Sequence, residues 1–215
     1  MTAPIDASDR SGDPPGQPPL DGRTARALRT RDAIVDACIA LVESGDLRPT
    51  APRIADRAGV SVRSVFQHFD DLESLFARVA DRVVENLGHL VEPIEPTLPL
   101  DERIEQFVAQ RRRVLEALTP IRRAATVHAP FSRELTQRLQ LGHLAMRVEI
   151  KSVFTTEIAR LPNDERRPFI DVLDTVASWA SWHNLRTLNG RSPDEAQAVL
   201  RRMVQMALAS VAARS

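Results

Sequence analysis

Apolar residues recur every three or four positions along most of the chain, which is the period of an amphipathic helix. Ile34, Ala37, Cys38, Leu41 and Val42 open the series, and Gly45 closes it. Thr50 then stands as a cap before Pro52, whose missing N–H is harmless in a first turn. Ile54, Ala55 and Ala58 form the inner face of that short helix, over 50–58. Gly59 makes a turn, and Ser61 caps a third helix ending at Phe69, with Val65 and Phe69 on its inward face. Asp70 with Glu73 reads as a capping box that opens a fourth helix, running to about Leu90.

Prolines 93, 96 and 99 interrupt the pattern and mark a boundary between two halves. Ile104, Phe107, Val108, Val114, Leu115 and Leu118 then mark a helix that Pro120 ends, and a short helix covers 121–128. A stripe from Leu135 through Leu139, Gly142, Met146, Ile150, Phe154 and Ile158 to Leu161 predicts one long helix. A helix over 164–188 follows, and Ser192-Pro193-Asp194-Glu195 is a strong start for the last one. Strand-like alternation of useful length is missing. The pattern predicts an all-α protein of about nine helices. A three-helix domain over 23–70 is followed by a connecting helix over 71–90 and a helical domain over 91–215. Residues 1–22 hold five prolines and three glycines, the composition of a disordered tail.

Composition excludes several classes. The chain is 43% hydrophobic and 27% charged, as in an ordinary soluble protein. It has no apolar run long enough to span a membrane and no signal-like start. Cys38, the single cysteine, excludes an intrachain disulfide and fits a reducing compartment, so a cytoplasmic protein is expected. Cys38 itself reads as a small buried hydrophobe, the alternative being a redox-sensing thiol. The histidines (68, 89, 128, 143 and 183) are dispersed, and no nucleophile elbow, metal-ligand motif or phosphate loop is present. No catalytic residue, metal site or cofactor is therefore expected.

Net charge is zero, but its distribution is uneven. Residues 23–63 carry eight arginines against five acids, whereas 64–86 carry two against five. The positive stretch coincides with two short helices around a glycine turn, a helix-turn-helix whose second member would lie in the major groove. Arg63, in that helix's first turn, can bind guanine bidentately, and Ser61 and Ser64 can reach phosphate. Val62, Phe66 and Gln67 complete its candidate DNA-facing set. His68 reads either as a phosphate contact or as packing at the helix end. Thr50, Arg48 and Arg53 flank the motif. Arg26, in the basic start of the first helix, reads as a minor-groove arm or as part of a solvated helix start.

Residues 50–76 read "TAPRIADRAGVSVRSVFQHFDDLESLF". They resemble the N-terminal signature of the TetR (tetracycline-repressor-like) transcriptional regulators at Ile54, Ala55, Ala58, Gly59, Val60, Ser61, His68, Phe69, Glu73 and Leu75. The resemblance implies a homodimer on a palindromic double-stranded operator, usually a repressor. It also implies a C-terminal domain that dimerises through its last two helices and holds a small-molecule effector, here unidentified. Two positions depart from the signature. Phe66 replaces the usual tyrosine, and Leu72 replaces the usual lysine. Each lost charged contact lowers the salt slope of binding by about one, so weak or dimer-dependent binding is expected.

The two C-terminal helices are apolar on more than one side, as a helix needing partners on two faces would be. Trp179, Trp182 and His183 fall at i, i+3 and i+4, His143 and Met146 are similarly spaced, and Phe107 lies on another helix. These six are candidate lining for a lipophilic effector, although such a stripe also reads as core or interface. The competing function is a DNA-binding dimer without an effector, constitutive or controlled by a protein partner, with a filled C-terminal core.

Overall fold

Ten α-helices make up residues 22–212, the part of the chain that the computed structural model describes. They are α1 (Gly22–Glu43), α2 (Ala51–Ala58), α3 (Val62–His68), α4 (Leu72–Leu87), α5 (Leu100–His128), α6 (Arg133–Val153), α7 (Thr155–Arg160), α8 (Asn163–Val176), α9 (Trp179–His183) and α10 (Pro193–Ala212). Among the described residues there is no strand, and no helix is long and apolar enough to cross a membrane. The expected tail over 1–22 lies outside the described residues, apart from Gly22, which opens α1.

Local chemistry sets the short N-terminal elements. Gly59 has φ +67°, a left-handed conformation that closes α2 and that a side chain would strain. The Ser61 hydroxyl accepts the Ser64 N–H at 3.1 Å and starts α3. Thr50 holds the cap position of α2 by its backbone alone, without the expected side-chain bond. The capping box of α4 is Asp71 with Ser74, one residue beyond the expected Asp70–Glu73 pair. Glu73 is used elsewhere, accepting the Ser132 hydroxyl at 2.6 Å from the start of α6.

Three expected boundaries move. Helix α5 runs through Pro120 because Ile121, Ala124 and Ala125 are buried beyond it, as Val114 and Leu115 are before it. Packing on both sides outweighs the one lost backbone bond. The long stripe over 135–161 breaks at Phe154, where Arg103 donates to the Val153 carbonyl at 2.6 Å and pairs with Glu157 at 2.7 Å. The helix expected over 164–188 breaks at Ser178, whose hydroxyl accepts the Ser181 N–H and starts α9. A π-helical turn over Asn184–Leu188 follows. At α10 the expected start is present, with Ser192 and Glu195 exchanging bonds at 2.8 and 3.2 Å.

Buried side chains form two clusters. One joins Ile34, Val35 and Cys38 of α1 to Ile54, Val65, Phe69, Leu75, Val79 and Val83, and takes in Ile121 and Ala124 of α5. The other gathers Phe107, Leu115, Ile150, Phe154, Leu173, Trp182, Leu200 and Val204. Helix α5 therefore belongs to both. Arg82 of α4 pairs with Asp32 and Asp36 of α1, fixing the connecting helix to the first cluster. Burial, with a smaller contribution from Asp46, pushes the Cys38 thiol up to about 12, so it stays protonated at neutral pH and packs as a small hydrophobe.

Candidate DNA interface and effector cavity

Helix α3 owes its position to two inward anchors. Val65 is fully buried and Phe69 nearly so, which turns the opposite side of the helix outward. Val62, Arg63, Phe66 and Gln67 are exposed there, with Ser64 and His68 half-buried beside them. Among the described residues Arg63 makes no ion pair, so its guanidinium is free to meet a ligand. Ser61 is committed to capping, which leaves its oxygen less available for phosphate than expected from the sequence.

The flanking candidates differ in how free they are. Thr50, Arg48 and Arg26 are exposed. Arg53 pairs with Asp46 at 2.8 Å, while Asp46 also accepts the Arg48 N–H at 3.1 Å. A phosphate would have to compete with that carboxylate for Arg53. In the basic start of α1, Arg31 is partly committed too. Its guanidinium lies over Phe69, 5.1 Å from the ring centroid, and couples α1 to the end of α3.

A cavity of about 730 Å³ opens between α4, α5 and α6, with α1 and α9 contributing to its walls. That volume is ample for a drug-sized ligand. Val79, Val83, Leu87, Val114, Leu118 and Leu139 supply aliphatic wall. Of the six candidate lining residues, His143, Met146 and Trp179 are in the wall and the other three are outside it. Phe107 is buried edge-on against Phe154. Trp182 is buried, its indole N–H donating to Glu116 at 2.7 Å. His183 stacks on Trp179, one turn earlier on α9, with centroids 4.7 Å apart, and its Nδ1 lies 3.1 Å from the Thr187 hydroxyl. Trp179, Trp182 and His183 all belong to α9, so the division is one between faces of that short helix, with Trp182 turned into the core.

Several wall residues were not foreseen. Gln110 and Arg111 both bind Glu149, at 2.6 and 2.5 Å, deep between α5 and α6. His128 carries its ring against Phe76, 4.4 Å between centroids, and reaches the Leu47 carbonyl at 3.1 Å. Arg122 lies in the wall beside Trp179. The usable sign in the sequence was a charge at the spacing of an apolar face, since Leu115, Leu118 and Arg122 share one side of α5. No group of histidine, cysteine and acidic residues among the described residues could hold a metal ion.

An exposed second helix of a helix-turn-helix, anchored on a three-helix core and followed by an all-helical half, defines a helix-turn-helix protein. Residues 34–79 match the family model described as bacterial regulatory proteins, tetR family. That match spans the end of α1 through the first half of α4, the helix-turn-helix and its supports, and leaves the second half of the chain outside it. No curated protein matches the chain. Its fold is similar to that of a transcriptional regulator from Rhodococcus sp. Rha1, with TM-score 0.65 and 20% identity, over 86% of this chain and 96% of that one. A putative TetR-family regulator from Mesorhizobium loti gives TM-score 0.64 and 22% identity, over 86% and 98%. A TetR transcription regulator from Haloarcula marismortui gives 0.63 and 17%, over 85% and 98%.

Proposed function

We propose that the protein is a cytoplasmic, sequence-specific regulator that binds a palindromic operator as a homodimer, represses from it, and is released by a small lipophilic effector. The observation that carries this reading is the outward face of α3, where Arg63 stands unpaired beside exposed Val62, Phe66 and Gln67. A short, firmly anchored helix with its first turn outward is the geometry that major-groove reading requires. Pairing through α8 and α10 is supported by Val172 and Met206, which are 48% and 65% exposed on those helices. An isologous dimer would set two α3 helices about 34–36 Å apart, one turn of DNA.

The competing reading, a DNA-binding dimer without an effector, requires a filled second half. A cavity of about 730 Å³ with aliphatic walls favours the effector-responsive reading. Release then follows if the effector binds better to the dimer conformation that cannot span the operator. Helix α4, which packs between α1 and the cavity, is the transmitting element.

The test is selection of bound duplexes from a random DNA pool at about 0.15 M salt, with wild type and Arg63→Ala in parallel. A palindromic consensus is expected, relaxed by the variant at one position in each half-site. Failure of wild type to enrich any sequence would sink the reading.

A further inference from the structure

The charged groups around the cavity leave one remainder. Its wall contains four arginines (Arg78, Arg111, Arg122 and Arg138) and four carboxylates (Asp81, Glu85, Glu149 and Asp174). Arg78 binds Glu85 at 2.9 Å, and Arg111 binds Glu149 at 2.5 Å. Arg138 binds Asp81 at 3.2 Å, and Arg147 neutralises Asp174 at 2.9 Å. Every wall carboxylate therefore has its own arginine. Among the described residues, only Arg122 of the wall arginines has no carboxylate partner.

Its setting is built rather than incidental. Arg122 is half-buried, and its guanidinium carbon lies 5.7 Å from the ring centroid of Trp179. That indole is itself fixed, donating to the Thr119 hydroxyl at 3.2 Å, and Thr119 in turn donates to the Leu115 carbonyl at 2.6 Å. Burial alone pulls the Arg122 pKa down, with no neighbouring anion to restore it. A guanidinium keeps its proton even so, and remains a planar donor of several N–H bonds. A half-buried permanent cation without a counter-ion, in a cavity whose other charges are paired and which has a large aliphatic surface, lacks one complementary group.

Resting on the effector-cavity reading above, we infer that Arg122 is the anion-binding residue of the cavity, and that the ligand is an organic anion with an apolar body. A carboxylate at one end of an aliphatic chain meets both requirements. The anion takes the N–H donors of Arg122, and the chain lies against Val79, Val83, Val114 and Leu118. The site also adjoins Ile121 and Ala124, which share the N-terminal core with Val65 and Phe69 of the α3 anchor.

The protein carries its own reporter. Trp179 is in the wall beside Arg122, and the other tryptophan, Trp182, is outside the wall and supplies a constant background. Tryptophan fluorescence would be titrated with octanoate, decanoate and dodecanoate, and with the straight-chain alcohols of the same lengths. Wild type, Arg122→Gln, Arg122→Lys and Gly142→Leu would be compared. Gly142 lines the cavity and a Cβ there meets nothing within 4 Å, so leucine is the variant expected to take up cavity volume.

For wild type, at least one carboxylate is expected to bind about tenfold or more tightly than its alcohol, the effect of one charge-assisted contact. Arg122→Gln should bring that ratio close to one by weakening the carboxylate only, Arg122→Lys should keep part of it, and Gly142→Leu should weaken both ligands. A ratio near one in wild type, or a ratio that survives Arg122→Gln, overturns the assignment of Arg122 while leaving the cavity as a ligand site. Absence of binding by every carboxylate and alcohol overturns the assignment together with the lipophilic-effector reading. Thermal unfolding of the three variants separates loss of the contact from loss of the fold.

Discussion

The Nε2 atom of His128 lies 3.1 Å from the carbonyl oxygen of Leu47, which ties the end of α5 to the loop between α1 and α2. The same imidazole packs on Phe76 of α4 and borders the cavity. One side chain thus touches the cavity, the connecting helix and the helix-turn-helix loop. Because the acceptor is a carbonyl, Nε2 must carry the proton. His128→Phe keeps the ring contact and removes the bond. Amides in the 44–50 loop are expected to exchange about fivefold faster in that variant, the effect of one hydrogen bond of about 1 kcal/mol. Equal exchange in the two proteins would show that the bond does not hold the loop.

Leu72 stands in the first turn of α4, half-buried against the N-terminal core, where the TetR signature usually has lysine. Leu72→Lys should steepen the dependence of operator affinity on salt by about 0.9 in log–log slope, the yield of one added phosphate contact. The trade is a loss of packing worth on the order of 1 kcal/mol. Operator titrations at several salt concentrations check it. An unchanged slope would mean that position 72 does not reach the DNA backbone.

Arg103 and Glu157 form a buried pair between α5 and α7, with side chains 5% and 7% exposed. Burial pushes the Glu157 carboxyl up, but the Arg103 hydrogen bond, a backbone bond and the cationic charge together hold it below its ordinary value of 4.5. A carboxyl lowered on folding stabilises the protein fully above that ordinary value, and the contribution disappears as pH falls through the lower folded value. Glu157→Gln leaves Arg103 buried and unpaired, and should cost about 3–5 kcal/mol at neutral pH. Urea unfolding should show the gap between variant and wild type narrowing below about pH 4. A gap that is constant down to pH 3 would contradict the coupling.

The helix-turn-helix was legible because its signals are local. A turn glycine, a serine cap and the Val65–Phe69 spacing each act within a few residues, and each is present in the structure. Boundaries in the second half were decided by partners distant in sequence. Pro120 is carried inside a helix by burial on both sides of it. Phe154 ends α6 where Arg103, some fifty residues earlier, takes the Val153 carbonyl. Ser178 looked like an interior residue of one long helix, yet its hydroxyl caps a new helix, in which Trp182 is buried and Trp179 lines the cavity. Arg122 was overlooked because an arginine in an arginine-rich chain carries little information until its neighbours are known to be paired.

Ile121 and Ala124, contributed by α5, complete the core on which α3 rests. The reading head is therefore not a detachable part. A fragment ending before Leu100 would strip Ile121 and Ala124 from the cluster that holds Ile34, Val79 and Val83, and would lose apolar burial that a small three-helix domain can ill spare. Exchanging the second half for that of a relative would meet the same obstacle unless the face around residues 121–124 were carried across with the first. Drift in the second half is thereby constrained along that face of α5 by packing alone, whatever is asked of the outer surfaces of α8 and α10.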